Sequence, residues 1–219
     1  LAPGAFQEFV PFFSWNGLGE RGLREGESAW LALREGRKAL SPAFHVTQDF
    51  SLGVEPRFNA LGETAPAELT LIAGGKLVHT LVSTRSAKQF GATSNAAPET
   101  EEARSLAIAP GDLDEADVLA RIGTGLYLSN LHYLNWSDRD SGRITGMTRF
   151  ACFWVEEGRI VAPIQDMRFD ESIYRLFGDK LAGLSRQRSL LPETGSYGLR
   201  ALGGSLLPGL LVDGFTFTL

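Results

Sequence analysis

The chain has 219 residues, 43% of them hydrophobic, and a formal net charge of -5. That is enough apolar material for one well-filled core or two subdomains sharing it, and the acidic balance argues against a nucleic-acid partner. The single cysteine, Cys152, excludes an internal disulfide framework and suits a reducing compartment, no apolar run reaches the roughly 20 residues that cross a bilayer, and no leader opens the chain, so the reading is cytoplasmic with no membrane contact.

Residues 3 to 13 place Phe6, Phe9, Val10 and Phe13 on one helical face, and Pro11 predicts that the helix ends or bends there. Gly17-Leu18-Gly19-Glu20-Arg21-Gly22 matches the glycine pattern of a dinucleotide-binding turn. No β-branched strand precedes it, so it reads as a flexible glycine-rich loop. Ser28 to Leu33 fits a short helix or strand around Trp30, and Ala43 to Asp49 alternates as a strand. Leu69 to Ile72, the Gly74-Gly75 turn and Lys76 to Ser83 form a hairpin. A helix over Thr84 to Phe90 follows, with Thr84 as its cap and Gly91 as its stop. Ala92 to Arg104 lacks apolar periodicity and reads as an exposed, mobile loop.

Leu106 to Ala109 reads as a strand and Leu113 to Ile122 as an amphipathic helix stopped by Gly123. The stretch Gly123 to Phe169 has the pattern of an antiparallel meander. Its middle run sets Phe150, Cys152 and Trp154 opposite Arg149, Ala151, Phe153 and Val155, which predicts a strand covered on both sides. Asp170 to Leu184 carries an apolar stripe at helical spacing, Ser185 to Gly204 reads as loop, and the last residues, around Phe215 and Phe217, read as strand.

Sites for chemistry are sparse. His45, His79 and His132 stand singly, without a second ligand at zinc spacing, and Cys152 sits between aromatics where a thiol stays inert. Acids gather at Asp138, Asp140, Glu156, Glu157, Asp166, Asp170 and Glu171, a pattern of solvated loop charges in which a convergent pair remains open. Arg143 and Arg149 are the better candidates for gripping a carboxylate, because guanidinium offers a fork of donors; a surface ion pair is the plainer alternative.

The order of features resembles one family. GTGLYLSNL, SGRITGMTRFACFWVEEGRIVAPIQDMRF and the terminal PGLLVDGFTF, preceded by SPAFHVTQDFSL, ELTLIAGGKLVHTLVSTRSAKQFG and SLAIAPGD, resemble the C-terminal domain of the TldD/PmbA (TldE) proteins, also called modulators of DNA gyrase. The resemblance spans nearly the whole chain and rests on order and spacing. It implies a zinc-dependent peptidase system in which a catalytic subunit pairs with a related, metal-free one. Catalytic members carry His-Glu-x-x-x-His near the start of this domain and a late cysteine. Here the matching stretch is Gln7-Glu8-Phe9-Val10-Pro11-Phe12, in which Gln7 and Phe12 replace both histidines, and the loop around Glu193 to Tyr197 has no cysteine. An amide is a poor zinc ligand and a phenyl ring is none.

These readings set the expectations. The fold is α+β, mostly antiparallel, with a barrel-like or strongly curved sheet and a few peripheral helices. Residues 1–219 form a single domain, the C-terminal half of a longer protein, in keeping with an opening Leu1. The resemblance implies a non-catalytic subunit with no metal or other cofactor, paired with a TldD-like catalytic subunit or with itself, and binding unfolded peptide. Glu8, Arg143 and Arg149 are the peptide-groove candidates. The alternatives are an autonomous hydrolase with an undetected site and a DNA gyrase modulator.

Overall fold

Pro11 cuts short what the apolar spacing begins. In the computed structural model, which describes residues 1–195 and 199–218, α1 spans Pro3–Gln7 and a separate 3-10 turn covers Val10–Phe13. Proline has no N–H to return to residue 7, so the helical ladder cannot run through. The same place divides two compact units. Unit A is Leu1–Phe9, Pro110–Ser189 and Leu207–Leu219, and unit B is Val10–Ala109 and Leu190–Leu206.

Unit B is built on aromatic packing beside a sheet. Phe13 stacks on Trp30 with ring centroids 4.9 Å apart, and the Trp30 indole N–H donates to the Phe12 carbonyl at 2.9 Å. The glycine run of residues 17 to 22 is not a flexible loop. Residues 17–20 are buried, Gly19 bridges Leu81, and α2 (Glu20–Glu25) starts at once. Trp30 then leads into α3 (Leu31–Arg34). Strand β1 (Val46–Asp49) pairs antiparallel with β2 (Glu68–Ala73), and the Gly74-Gly75 turn joins β2 to β3 (Lys76–Leu77). This strand is far shorter than the one expected through Ser83. Gly75 has φ +72°, and a Cβ there would lie 2.3 Å from the Leu40 carbonyl oxygen, so only glycine fits. The cap of α4 (Thr84–Phe90) is Ser83 rather than Thr84, its hydroxyl accepting from the Ser86 N–H at 3.2 Å.

The stretch 92–104 also departs from its mobile reading. Asn95 accepts from the Val82 N–H at 2.9 Å and donates to the Thr80 carbonyl at 2.7 Å, while Ala96, Ala97 and Glu101 are buried. Its anchors are side chains bonded to distant backbone, which no local period displays. The unit's last strand in this part of the chain, β4 (Leu106–Ile108), pairs with β1.

Unit A carries a 3-10 turn over Glu115–Asp117, α5 (Val118–Ile122), and strands β5 (Gly125–Leu128), β6 (Leu131–Asp138), β7 (Arg143–Thr148), β8 (Cys152–Glu156), β9 (Arg159–Pro163) and β10 (Arg168–Ser172). The expected meander is split. Strands β5, β8 and β9 form one sheet, in that order, while β6, β7 and β10 join another, completed by a terminal strand. Nor is β8 covered on both sides. Its register shifts between Trp154 and Val155, Cys152 and Val155 are buried, and Trp154 faces outward with Phe150 exposed just ahead of the strand.

The helix read over Asp170 to Leu184 is instead strand β10, a π turn over Arg175–Asp179, and the start of β11 (Leu181–Pro192). Gly178 sits at φ -113° and ψ -115°, outside any helix. Ile173, Leu176 and Phe177 are buried as their spacing suggested, and Phe6 and Phe9 pack on Phe177 at 5.5 and 6.2 Å. The first part of the expected loop from Ser185 to Gly204, residues 185–192, is the rest of β11, and β12 (Gly204–Val212) begins at its end; residues 196–198 lie outside the described set. Strand β13 (Phe217–Thr218) pairs with β10, tying the chain's end into a sheet as expected.

The three strand orders are β11-β12-β4-β1-β2-β3, β13-β10-β7-β6 and β5-β8-β9. Strand β12 runs parallel to β4 through Ser205 and Leu206, and the other registered pairs are antiparallel. The fold is therefore α+β and mostly antiparallel; among the described residues no sheet closes on itself. No described helix is long and apolar enough to cross a membrane.

Candidate functional site

The first place to look is the stretch matched to a zinc helix. Gln7 is the last residue of α1 and Glu8 its half-buried C-cap, both in unit A, whereas Phe12 is buried in unit B. The positions thus do not share one helix. The histidines are each engaged singly: His45 Nδ1 accepts from the Gly74 N–H, His79 Nδ1 lies 2.8 Å from the Thr70 carbonyl, and His132 Nδ1 lies 3.3 Å from the Arg149 guanidinium. Buried Cys152 directs its thiol at the Asn130 carbonyl.

The two arginine candidates stand at opposite ends of β7, roughly 20 Å apart at strand rise, and the fold does not bring them together. Arg143 pairs with the Asp170 carboxylate at 2.8 Å on the neighbouring strand. Arg149, just past the strand, lies over the Phe150 ring at 5.3 Å and beside His132, whose own ring is 4.0 Å from that of exposed Tyr133. Of the acids, Glu171 is buried and accepts from the Ser172 and Thr216 N–H groups, and Asp138 accepts from Ser141. These bonds lower the Asp138 carboxyl below its ordinary range.

Sequence reasoning missed a cavity of about 860 Å³ lined wholly by residues of unit A. Apolar side chains of α5 (Leu119, Ile122), of β9 (Ile160) and of the chain's end (Phe215, Phe217) line it, and Tyr127, Gln187 and Asp213 add polar groups. Burial, and then the charge of Glu115, push the Tyr127 phenol up. Two of its walls are strands, β5 and the end of β12. Between them, at one end, lie Leu1 and Ala2: Leu1 exchanges both backbone bonds with Leu210 at 2.8 Å, and the Ala2 N–H donates to the Leu128 carbonyl at 2.8 Å. The only sequence signal for this feature was the short strand after Gly123. Its walls come from segments distant in the chain.

The model of the PmbA/TldA metallopeptidase C-terminal domain matches residues 1–219, the whole chain. The chain belongs to the PmbA/TldD family. Solved structures repeat its fold. A candidate modulator of a DNA gyrase from Thermotoga maritima superposes with a TM-score of 0.78 at 15% identity, over 99% of this chain and 48% of that one. TldE from Thermococcus kodakarensis gives 0.75 at 15% identity, with the same coverage. A candidate modulator of DNA gyrase from Bacteroides thetaiotaomicron gives 0.74 at 17%, over 99% and 45%. The chain thus spans about half the length of these structures. No curated protein sequence matches it.

For a PmbA/TldD-family chain the family's metal has to be tested against the residues present. Positions 7 to 12 supply one carboxylate, one amide and a phenyl ring, and among the described residues no three His, Cys, Asp or Glu side chains gather as a metal site. This donor set does not fit zinc.

Proposed function

We propose that this PmbA/TldD-family chain is the non-catalytic, TldE-like member of a peptidase system, contributing to peptide binding and to assembly with a TldD-like catalytic subunit or with a second copy in the cytoplasm. The observation that carries the reading is the donor set at Gln7, Glu8 and Phe12. A hydrolytic zinc needs three protein ligands and an open position for water, and one carboxylate does not meet that need. Residues 1–219 act in this reading as one C-terminal domain of a longer protein, its sheets curved toward a barrel around a peptide groove. Glu8, Arg143 and Arg149 are its proposed groove contacts. Arg149 has the best support, because exposed aromatics flank it and no carboxylate stands against it among the named ion pairs.

The test is metal analysis of the purified protein together with a peptide-hydrolysis assay, with and without chelator. The expected result is no stoichiometric zinc and no turnover by this chain alone, with co-purification of a partner bearing His-Glu-x-x-x-His. Stoichiometric zinc with chelator-sensitive turnover overturns the proposal, and so does a protein that never associates.

A further inference from the structure

We propose that one end of the outward face of the β6-β7-β10 sheet, carrying Arg149, Arg168 and His132, receives an unfolded peptide segment with two acidic side chains at i and i+2. This names the class of peptide for the binding role proposed above and rests on that reading.

Strand alternation sets this face. In β7, Ile144, Gly146 and Thr148 are buried while Arg143, Thr145 and Met147 are not; in β10, Phe169 and Glu171 are buried while Arg168, Asp170 and Ser172 are not. Residues opposite each other across a ladder share a face. Met147 stands opposite Arg168 on one side and His132 on the other, a row across three strands. Arg149 comes two residues after Met147 and so returns to the same side, where its guanidinium donates to His132 Nδ1 at 3.3 Å. A guanidinium only donates, so this bond puts the His132 proton on Nε2, and the ring orients Arg149 without neutralising it. Arg149 and Arg168 are diagonal neighbours, about 7–8 Å apart along the backbone surface. Both are exposed, and among the described residues neither joins an ion pair, with Asp166 or with any other acid. Arg143, farther along the face, is already paired with Asp170.

A backbone outlier marks the same place. Three steps along β6, from His132 to Asn135, face two along β7, from Met147 to Thr145, so β6 bulges by one residue. The bulge holds Tyr133 at φ +55°, a left-handed conformation that a bulky aromatic rarely adopts. Its side chain is 76% exposed, so no buried contact offsets the strain, and strain of this kind gathers where a side chain is aimed at a ligand. The Tyr133 ring lies 4.0 Å from that of His132, and exposed Phe150 lies 5.3 Å from the Arg149 guanidinium, so aromatic surface rims the cations. Two unneutralised cations side by side on a chain of net charge -5 are complementary to a pair of carboxylates. In an extended segment the side chains at i and i+2 leave one face about 6.7 Å apart, close to the separation of the two arginines.

The experiment is a fluorescence-anisotropy titration of the 219-residue chain with a labelled, end-blocked Gly-Ser peptide of about eight residues carrying Glu-x-Glu at its centre. The Gln-x-Gln version should bind at least tenfold more weakly, and adjacent Glu-Glu, whose side chains leave opposite faces of an extended segment, about threefold more weakly. Arg149→Gln and Arg168→Gln should each lower affinity about tenfold with the fold intact, since both side chains are exposed. Tyr133→Gly relieves the left-handed backbone, so its urea midpoint should rise while affinity falls. Equal binding of the Gln-x-Gln peptide overturns the proposal, as does an arginine variant of unchanged affinity. A lower midpoint for Tyr133→Gly makes that residue structural and removes it from the site. Tighter binding of oligo-dT than of the Glu-x-Glu peptide reassigns the face to nucleic acid, and failure of the longer protein to bind where the 219-residue chain binds shows the face covered within one molecule; either result ends the proposal. Zinc content and turnover report separately on the non-catalytic reading, and a peptide bound without regard to its acids keeps the binding role while this inference falls.

Discussion

The two units treat their polar groups differently. In unit B, buried Glu20 takes Arg24 at 2.7 Å, Arg34 at 3.1 Å and the Thr80 hydroxyl at 2.7 Å, while buried Glu101 accepts from the Arg21 and Ser83 N–H groups and the Ser83 hydroxyl. In unit A, Glu171 is satisfied in the same manner, yet the ion pair of Arg143 and Asp170 leaves 43% and 24% of its side chains exposed. Unit B answers Glu20 and Glu101 from within, which suits a scaffold. Unit A leaves an ion pair within reach of water, where screening weakens it.

The sharpest way to break unit B is at its hairpin. Gly75→Ala forces an L-residue to φ +72° and brings a Cβ to 2.3 Å from backbone, which nothing flexible can relieve. Strain and overpacking together should cost about 4 kcal/mol, read as a lower urea midpoint by the fluorescence of buried Trp30. A loss under about 1 kcal/mol would mean that the turn is not held as described.

Glu20→Leu comes next. Breaking a fully buried pair costs about 3–5 kcal/mol, but Arg24 and Arg34 keep 48% and 26% of their side chains in water. A loss of about 2–4 kcal/mol is the expectation. Retained stability would show that the network gives specificity without strength.

These two positions also show what was legible in the sequence. Gly74-Gly75 announces its turn through chemistry local to two residues, and the structure has that turn. Glu20 and Glu101 were hidden in segments read as flexible because their partners lie 60 and 80 residues away, Thr80 for one and Arg21 for the other. The stripe of Ile173, Leu176 and Phe177 gave burial correctly and conformation wrongly. Ladder bonds to β7 hold Arg168–Ser172 extended, and the kink at Gly178 turns the chain, so tertiary pairing overrode a helical period. The cavity of unit A was illegible for a related reason, since its walls are brought together from segments distant in the chain. The replaced ligands at Gln7 and Phe12, by contrast, need only side-chain chemistry and the family's motif.

Acid should sharpen the comparison. Burial pushes the Glu20 carboxyl up, but hydrogen bonds from Arg24, Thr80 and Arg34 and the Arg34 charge outweigh it, leaving it below its usual 4.5. A carboxyl whose folded pKa is depressed stabilises fully above the unfolded value and loses that contribution as pH falls through the folded one. The stability difference between the parent and Glu20→Gln should therefore be constant above about pH 5 and shrink below 4.5. A difference independent of pH from 3 to 7 would assign the effect to packing instead of charge.

The smallest effect belongs to unit A's own ion pair. Arg143 and Asp170 meet at 2.8 Å across β7 and β10, but 43% and 24% of their side chains remain exposed. Water and salt screen such a pair, so Arg143→Ala should cost no more than about 1 kcal/mol, and most of that should vanish in 1 M salt, where the screening length is about 3 Å. The same variant separates two roles for this arginine. If Arg143 serves the sheet alone, binding of an unfolded peptide is unchanged by the substitution; if it also grips peptide, affinity falls while stability hardly moves. A stability loss above about 2 kcal/mol, insensitive to salt, would place this pair with the Glu20 network and erase the contrast between the units.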